Sequence, residues 1–198
     1  MTHYNNKLVA IILAGGLSRR MSGEDKGLQT INGKALIDYV ITAIKPQVDN
    51  IVISANRNIE EYGQRGYPVI IDDFGEFEGP LAGILTVMQT LPEDNLLLVV
   101  PCDMPVLPTN LVEQLMQQLY LENAELCCAE LQHRLQPLIS VIKTSTRDSL
   151  LNFLVGGKHK VLDWIHQLHY TSISIDDPAV ININTPEDLN AFKKYLAD

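Results

Sequence analysis

Apolar residues along this chain fall into two kinds of run. Val9-Ala10-Ile11-Ile12-Leu13, Asn50-Ile51-Val52-Ile53-Ser54, Val69-Ile70-Ile71-Asp72 and Leu96-Leu97-Leu98-Val99-Val100-Pro101 are short and nearly unbroken. That is the pattern of strands covered on both faces. Between them Leu36, Val40, Ile41 and Ile44 recur at helical spacing up to Pro46, with Asn32-Gly33-Lys34 as a turn before them. Asn58 to Gln64 reads as a short helix, and Leu81, Ile84, Leu85 and Met88 mark another over Gly79 to Thr90. Strands alternating with helices imply right-handed crossovers and an α/β fold: a three-layer, Rossmann-like, doubly wound, mostly parallel sheet.

The second half is less regular. A helix is expected over Thr109 to Tyr120, strands over Glu125 to Ala129 and Pro137 to Ile142, and helices near Ser145 to Leu154 and His159 to Leu168. Ser172 to Ile175 and Val180 to Ile183 resemble short strands, and Pro186 opens a final helix to about Leu196, proline being favoured in the first helical turn. Trp164 shares a helical stripe with Val161 and Leu168, which points to packing.

A chain of 198 residues suits one compact domain, here divided into two halves, 1–108 and 109–198. The formal charge of -9, from 24 acidic against 15 basic residues, argues against nucleic acid or an anionic membrane as partner. Cys102, Cys127 and Cys128 form an odd set without metal-ligand spacing, as in a reducing compartment. Met1 to Lys7 is polar, and no apolar run approaches a membrane span, so a cytoplasmic location is expected.

The chemistry concentrates where strands end. Directly behind the first strand, Gly15 and Gly16 free backbone amides to turn toward phosphate oxygens, and Ser18, Arg19, Arg20 and Lys26 add a hydroxyl and fixed positive charge. The segment is neither a Walker loop nor a G-x-G-x-x-G turn. It suits a triphosphate. Ser54, Asn56, Asp72 and Asp103 stand at the ends of the next strands, and in an open α/β sheet such ends meet at one crevice.

Asp103, stiffened between Pro101 and Pro105, suits Mg²⁺ shared with a triphosphate. Its alternative is a chain turn before the next helix. Asp72 and Asp73 are adjacent, so only one faces a ligand; Asp72 is the candidate acceptor for the N1–H and exocyclic amine of guanine, a solvated turn being the other reading. Gly79-Pro80-Leu81-Ala82-Gly83 places small residues at a helix start, either for close approach of a base or phosphate or for helix–sheet packing. His133-Arg134 and Lys158-His159-Lys160 are polar clusters within reach of an anionic second substrate or of water alone. Asn182 and Asn184 are candidates to hold ligand or metal, while Thr185 before Pro186 also reads as a helix cap.

Taken in order, these motifs resemble the molybdenum cofactor guanylyltransferases, which attach GMP to molybdopterin, within the wider nucleotide-diphospho-sugar transferase fold. The resemblance runs through Leu13-Ala14-Gly15-Gly16 with Ser18, Arg20, Met21, Asp25 and Lys26, then Asn56-Arg57, Asp72, Gly79 to Gly83, Pro101 to Pro105, and Asn182 to Leu189. It implies that Leu13, Ala14, Gly15 and Lys26 contact the guanine nucleotide, that Asp72 helps to recognise it, and that Asp103 binds nucleotide and Mg²⁺. Gly16, Ser54 and Gly83 join the expected GTP contacts, Arg20 acts with Lys26 and Asp103 in catalysis, and Asn182, Asn184 and Lys158 are expected to face the acceptor.

Related cytidylyltransferases tend to read L-A-A-G and P-L-A-A where this chain has Gly15 and Gly83, which favours GTP over CTP. The chain departs from the family pattern at Ser22, usually glycine, at Ser54, asparagine in some members, and at Lys158 to Lys160, where arginine is common. The implied reaction joins Mo-molybdopterin to GMP from GTP with release of pyrophosphate, and implies proteins that deliver the pterin or receive the dinucleotide cofactor. The competing readings are a cytidylyltransferase or sugar-1-phosphate nucleotidyltransferase of the same fold, and a non-catalytic GTP-binding sensor.

Overall fold

The computed structural model describes residues 7–14, 25–72, 79–177 and 180–197. β1 (Leu8–Leu13) is the axis of the fold, because its alternate side chains feed two different cores. Ala10 and Ile12 pack with Ile37, Val40 and Ile44 of α1 (Leu36–Ile44) on one face of the sheet. Val9 and Ile11 pack on the other face with residues that arrive later in the chain. β2 (Thr30–Ile31) and β3 (Lys34–Ala35) form a small hairpin before α1, turning at Asn32 and Gly33 with φ of 50° and 77°. Asparagine followed by glycine is the pair that adopts two successive left-handed residues most readily.

β4 (Asn50–Ser54) pairs parallel to β1, then α2 (Ile59–Gly63) leads to β5 (Val69–Ile70), parallel to β4. β5 ends before Ile71 and Asp72, which the sequence pattern had placed inside the strand. Ile71 is exposed, so its hydrophobicity does not mark a buried position. α3 (Pro80–Thr90) supplies Leu81, Ile84, Leu85 and Met88 to the core on the Val9 and Ile11 side. β6 (Leu96–Pro101) pairs parallel to β1 on its other edge. Each fully buried leucine or isoleucine of these strands contributes about 1.5–3 kcal/mol of transfer free energy.

α4 (Leu111–Leu121) adds Leu111, Leu115 and Leu119 to the α1 face. β7 (Leu126–Leu131) and β8 (Arg134–Lys143) form an antiparallel hairpin turning at Gln132 and His133, both at positive φ. Arg134, expected in a polar loop, is the first residue of β8: the ladder continues to a two-residue turn with no room for a loop. α5 (Arg147–Val155) and α6 (Val161–Ile165) cover the α3 face, where Trp164 is fully buried and its indole N–H donates to Ser149 Oγ at 3.3 Å. β9 (Tyr170–Ser174) pairs parallel to β7, and α7 (Pro186–Tyr195) closes the chain.

The strand order is β5-β4-β1-β6-β8-β7-β9, with β8 antiparallel to both of its neighbours and every other pairing parallel. Helices line both faces of this mostly parallel sheet, as the alternating pattern implied. Val180 to Ile183 is not a strand. Its alternation has another cause: Ile183 is buried with Ile31, Leu36 and Phe192 in a small third cluster, while Asn182 and Asn184 are exposed. Cys102, Cys127 and Cys128 are free thiols inside the protein. Among the described residues no helix is long and apolar enough to cross a membrane.

Candidate functional site

The carboxyl ends of β1, β4 and β6 are laced together by backbone hydrogen bonds. Ala14 N–H donates to the Ser54 carbonyl at 2.8 Å, and Cys102 N–H donates to the Leu13 carbonyl at 3.0 Å. Leu13, Ala14, Ser54 and Asp103 therefore line one edge of the sheet, where a doubly wound fold opens its crevice. Gly15, Gly16, Ser18, Arg19 and Arg20, expected to cradle phosphates, lie outside the described residues, as do Met21, Ser22 and Asp73.

Lys26 is the centre of the arrangement. It starts a 3₁₀ turn, Lys26–Leu28, and its ammonium donates to Asp103 Oδ2 at 2.6 Å, Asn184 Oδ1 at 2.7 Å and Asn182 Oδ1 at 3.2 Å. Three donors on one ammonium meet three acceptors drawn from two distant segments. The Asn182 to Asn184 strap is anchored at this place twice. Ile183 N–H donates to the Asp103 carbonyl at 2.9 Å, and the Ile183 side chain is buried beside Phe192 of α7, whose ring meets Tyr39 edge-to-face at 5.2 Å.

At the start of α7, Asp188 Oδ2 accepts the Asn184 and Thr185 N–H groups at 2.9 Å each, and Asp188 N–H donates to Thr185 Oγ1 at 3.1 Å. This is a capping box, with aspartate in the place often taken by glutamate. The Asn184 N–H bond is the main reason that the Asp188 carboxyl is held below its ordinary value, with the Thr185 bonds and the nearby Lys26 charge adding to it against a smaller opposing effect of burial. Thr185 is thus a cap, and the same cap orients Asn184 toward Lys26.

Asp103 offers more than the ion pair. Its second oxygen, Oδ1, is buried and has no hydrogen-bond partner among the described residues. A buried anionic oxygen left without a donor calls for an occupant. Its chemistry fits a hard cation such as Mg²⁺, which takes one or two protein carboxylates and completes its shell with phosphate oxygens and water. Among the described residues no group of three or more His, Cys, Asp or Glu side chains that could hold a metal occurs.

Gly83 and Ser54 sit in direct apposition: a β-carbon on Gly83 would lie 2.4 Å from Ser54 Oγ and 3.7 Å from Leu13 Cδ2. The missing side chain at position 83 therefore makes room for the Ser54 hydroxyl. Gly79, at φ 104°, starts α3 in a conformation that glycine alone adopts easily. Asp72 is half-buried, and its N–H donates to Asn56 Oδ1 at 3.1 Å, which joins the ends of β4 and β5.

Lys158 stands apart, exposed, its ammonium 5.7 Å from the Phe153 ring centroid. It lines a shallow groove of about 300 Å³ with Ser149, Asn152, Phe153, Gly156 and Gln167. Among the described residues no hydrogen bond or ion pair joins it to the Lys26 group. His133 occupies the tip of the β7–β8 hairpin, its Nδ1 3.6 Å from Glu130 Oε1.

Sequence reasoning missed the setting of Asp25. Its carboxylate is buried and accepts from Tyr62 O–H at 2.6 Å, Asn58 Nδ2 at 2.9 Å and Gly27 N–H at 3.2 Å. The available signal was its position immediately before the lysine, where an acidic side chain can cap the turn that carries that lysine.

A MobA-like NTP transferase domain matches residues 10–171 of the chain. The chain is 46% identical over 185 residues to a molybdenum cofactor guanylyltransferase of Shewanella baltica, covering 92% of this chain and 94% of that protein. A molybdenum cofactor guanylyltransferase of Shewanella woodyi is 44% identical over 193 residues, covering 96% and 98%. Among solved structures, molybdopterin-guanine dinucleotide biosynthesis protein A from Archaeoglobus fulgidus superposes with a TM-score of 0.79 at 23% identity, covering 96% of this chain and 98% of that one. A 4-diphosphocytidyl-2C-methyl-D-erythritol synthase from Anaerococcus prevotii shares the fold at a TM-score of 0.74 and 11% identity, covering 98% and 97%.

Proposed function

The chain belongs to the MobA-like NTP transferase family, and from that premise we propose that it is an enzyme that transfers GMP from GTP to Mo-molybdopterin, giving molybdopterin guanine dinucleotide and pyrophosphate. The observation that carries the reading is the Lys26 ammonium, held by Asp103, Asn182 and Asn184 at the carboxyl edge of the sheet. It is a fixed cation beside a carboxylate with one oxygen to spare.

In this reaction an anionic phosphate oxygen of the pterin attacks the α-phosphorus of GTP. A new P–O bond forms as the bond from the α-phosphorus to the bridging oxygen breaks, and pyrophosphate leaves with that electron pair. The attacking oxygen is already an anion, so no general base is required. What opposes the step is repulsion between anions, and the protein answers it by positioning and neutralisation. Lys26 and Arg20 offset charge that grows on the leaving pyrophosphate. Asp103 would hold Mg²⁺, which supplies charge neutralisation at phosphate oxygens.

Leu13, Ala14, Gly15, Gly16, Ser54, Asp72 and Gly83 form the nucleotide side in this reading, within residues 1–108. Asn182, Asn184 and Lys158 form the acceptor side, within 109–198. The reaction belongs in the cytoplasm, with partner proteins that bring the pterin and take the product.

The test is pyrophosphate release from GTP and from CTP, each with Mg²⁺ and molybdenum-loaded molybdopterin. Acceptor-dependent release that is much faster with GTP supports the reading. Preference for CTP would move the chain to cytidylyl transfer, and tight GTP binding with no release would leave a nucleotide sensor.

A further inference from the structure

The tip of Lys26 is held by its three acceptors, but the root of the side chain is held by the residue before it. Asp25 caps the Lys26–Leu28 turn by accepting Gly27 N–H, and its two oxygens also take the Tyr62 hydroxyl and the Asn58 amide. Both of those donors come from α2 and its first flanking residue, so the turn that carries Lys26 is tied to the helix that follows β4. Asn58 serves from a left-handed conformation, φ 51°, which asparagine tolerates better than most residues.

The fit beneath the turn is close. Gly27 has no side chain, and a β-carbon there would lie 2.5 Å from the Tyr62 hydroxyl and 3.1 Å from Cys102 Sγ. Cys102 is the neighbour of Asp103, so the turn is wedged between α2 and the strand end that carries Asp103. Burying a carboxylate among neutral donors is a costly way to pin a turn if only stability is at stake. It does fix the direction in which the next side chain leaves the backbone.

We propose that Asp25 is a positioning residue for the transfer reaction: with Tyr62 and Asn58 it fixes the backbone of Lys26 so that the ammonium stays aligned between Asp103 and the phosphates. The inference rests on the guanylyl-transfer reading for its catalytic consequence and on the described geometry alone for its effect on Lys26.

The test uses the full chain and two variants, Tyr62→Phe and Asn58→Gly. Each removes one donor to Asp25, and glycine keeps the left-handed backbone at position 58. Three quantities are read: kcat and KM for GTP, the rate of reductive methylation of Lys26 followed by peptide mapping, and the melting temperature. Lys34, bonded to Thr42 on α1, is the internal control for methylation.

With the chain still folded, kcat falls roughly tenfold while KM for GTP stays within about threefold, since the lost alignment matters most in the transition state. Lys26 is methylated several-fold faster, and Lys34 at its original rate. Unchanged kcat, or unchanged Lys26 methylation, in both folded variants overturns the proposal. So does a loss of rate that only follows a fall in melting temperature. A wild-type chain inert toward GTP would refute the guanylyl-transfer reading instead, and the methylation comparison would still decide whether Asp25 and its donors hold Lys26.

Discussion

Gly27 lies so close to Tyr62 that an added β-carbon would sit 2.5 Å from the tyrosine hydroxyl oxygen. Tyr62 is fully buried and its hydroxyl is bonded to Asp25, so the ring has little freedom to yield. Gly27→Ala is expected to cost about 1–3 kcal/mol of stability through overpacking. In the double variant with Tyr62→Phe the loss should be smaller than the sum of the two single losses, because the clashing oxygen is gone. Urea unfolding of the four proteins checks this; strict additivity would mean that the contact is not the cause.

Lys26 and Asp103 form a 2.6 Å ion pair at the mouth of the crevice. Lys26→Ala is expected to lower acceptor-dependent pyrophosphate release by roughly 10²–10³-fold, the scale of a lost transition-state contact. Asp103→Ala should abolish it. Circular dichroism should show both variants folded, since the pair stands at the end of the sheet rather than in its core. Near-normal turnover of the aspartate variant would remove Asp103 from the reaction.

Gly83 and Ser54 offer a contrasting case. The atom that an alanine at 83 would strike is a serine oxygen at the end of a short side chain, and Ser54 Cβ would remain at an ordinary 3.4 Å. Rotation of the hydroxyl can relieve the clash, and alanine in a helix gains up to about 1 kcal/mol over glycine. Gly83→Ala is therefore expected to leave stability within about 1 kcal/mol of wild type while raising KM for GTP, because the hydroxyl is displaced at the crevice edge. Ser54→Ala in the same chain should then make the Gly83→Ala change silent. Steady-state kinetics on the single and double variants decide it.

The strands buried on both faces were legible because no polar residue interrupts them: β1, β4 and β6 fall where unbroken apolar runs placed them. Periodicity failed where burial came from something other than the main sheet. Ile181 and Ile183 alternate with Asn182 and Asn184 as a strand would, but they serve the small apolar cluster with Phe192 of α7 and leave Asn182 and Asn184 facing Lys26. The β2–β3 hairpin escaped because two-residue strands carry no period, although its Asn32-Gly33 turn was visible. For the candidate site, each of Lys26, Asp103, Asn182 and Asn184 stood out in sequence. The bonding of the two asparagines to the lysine did not, since they lie 156 and 158 residues from it. The Asp25 cluster was hidden for a similar reason, its donors being 33 and 37 residues away.

Asp188 gives the cap of α7 a pH dependence whose sign is fixed by its lowered pKa. Because the folded chain holds the carboxyl below the ordinary aspartate range, the cap contributes fully at and above that range. The contribution is lost as pH falls through the lower folded value. The difference in stability between wild type and Asp188→Asn should accordingly be constant at neutral and mildly acidic pH and shrink in strong acid. Thr185→Ala, which removes the other half of the box, should cost about 1 kcal/mol at neutral pH. Denaturant unfolding across a pH series measures both.

The single reversed strand, β8, has a consequence for how such an enzyme could be enlarged. Its last pairing with β6 is at Ser140, yet it runs with β7 to Arg134, so the hairpin stands beyond the sheet on the side where β6 ends. A wall that ends in two exposed turn residues, Gln132 and His133, can be lengthened without disturbing any register below it. Grafted residues there would lengthen the hairpin on the side of the sheet where β6 ends. The reach of this hairpin could thus be redesigned independently of the carboxyl ends of β1, β4 and β6.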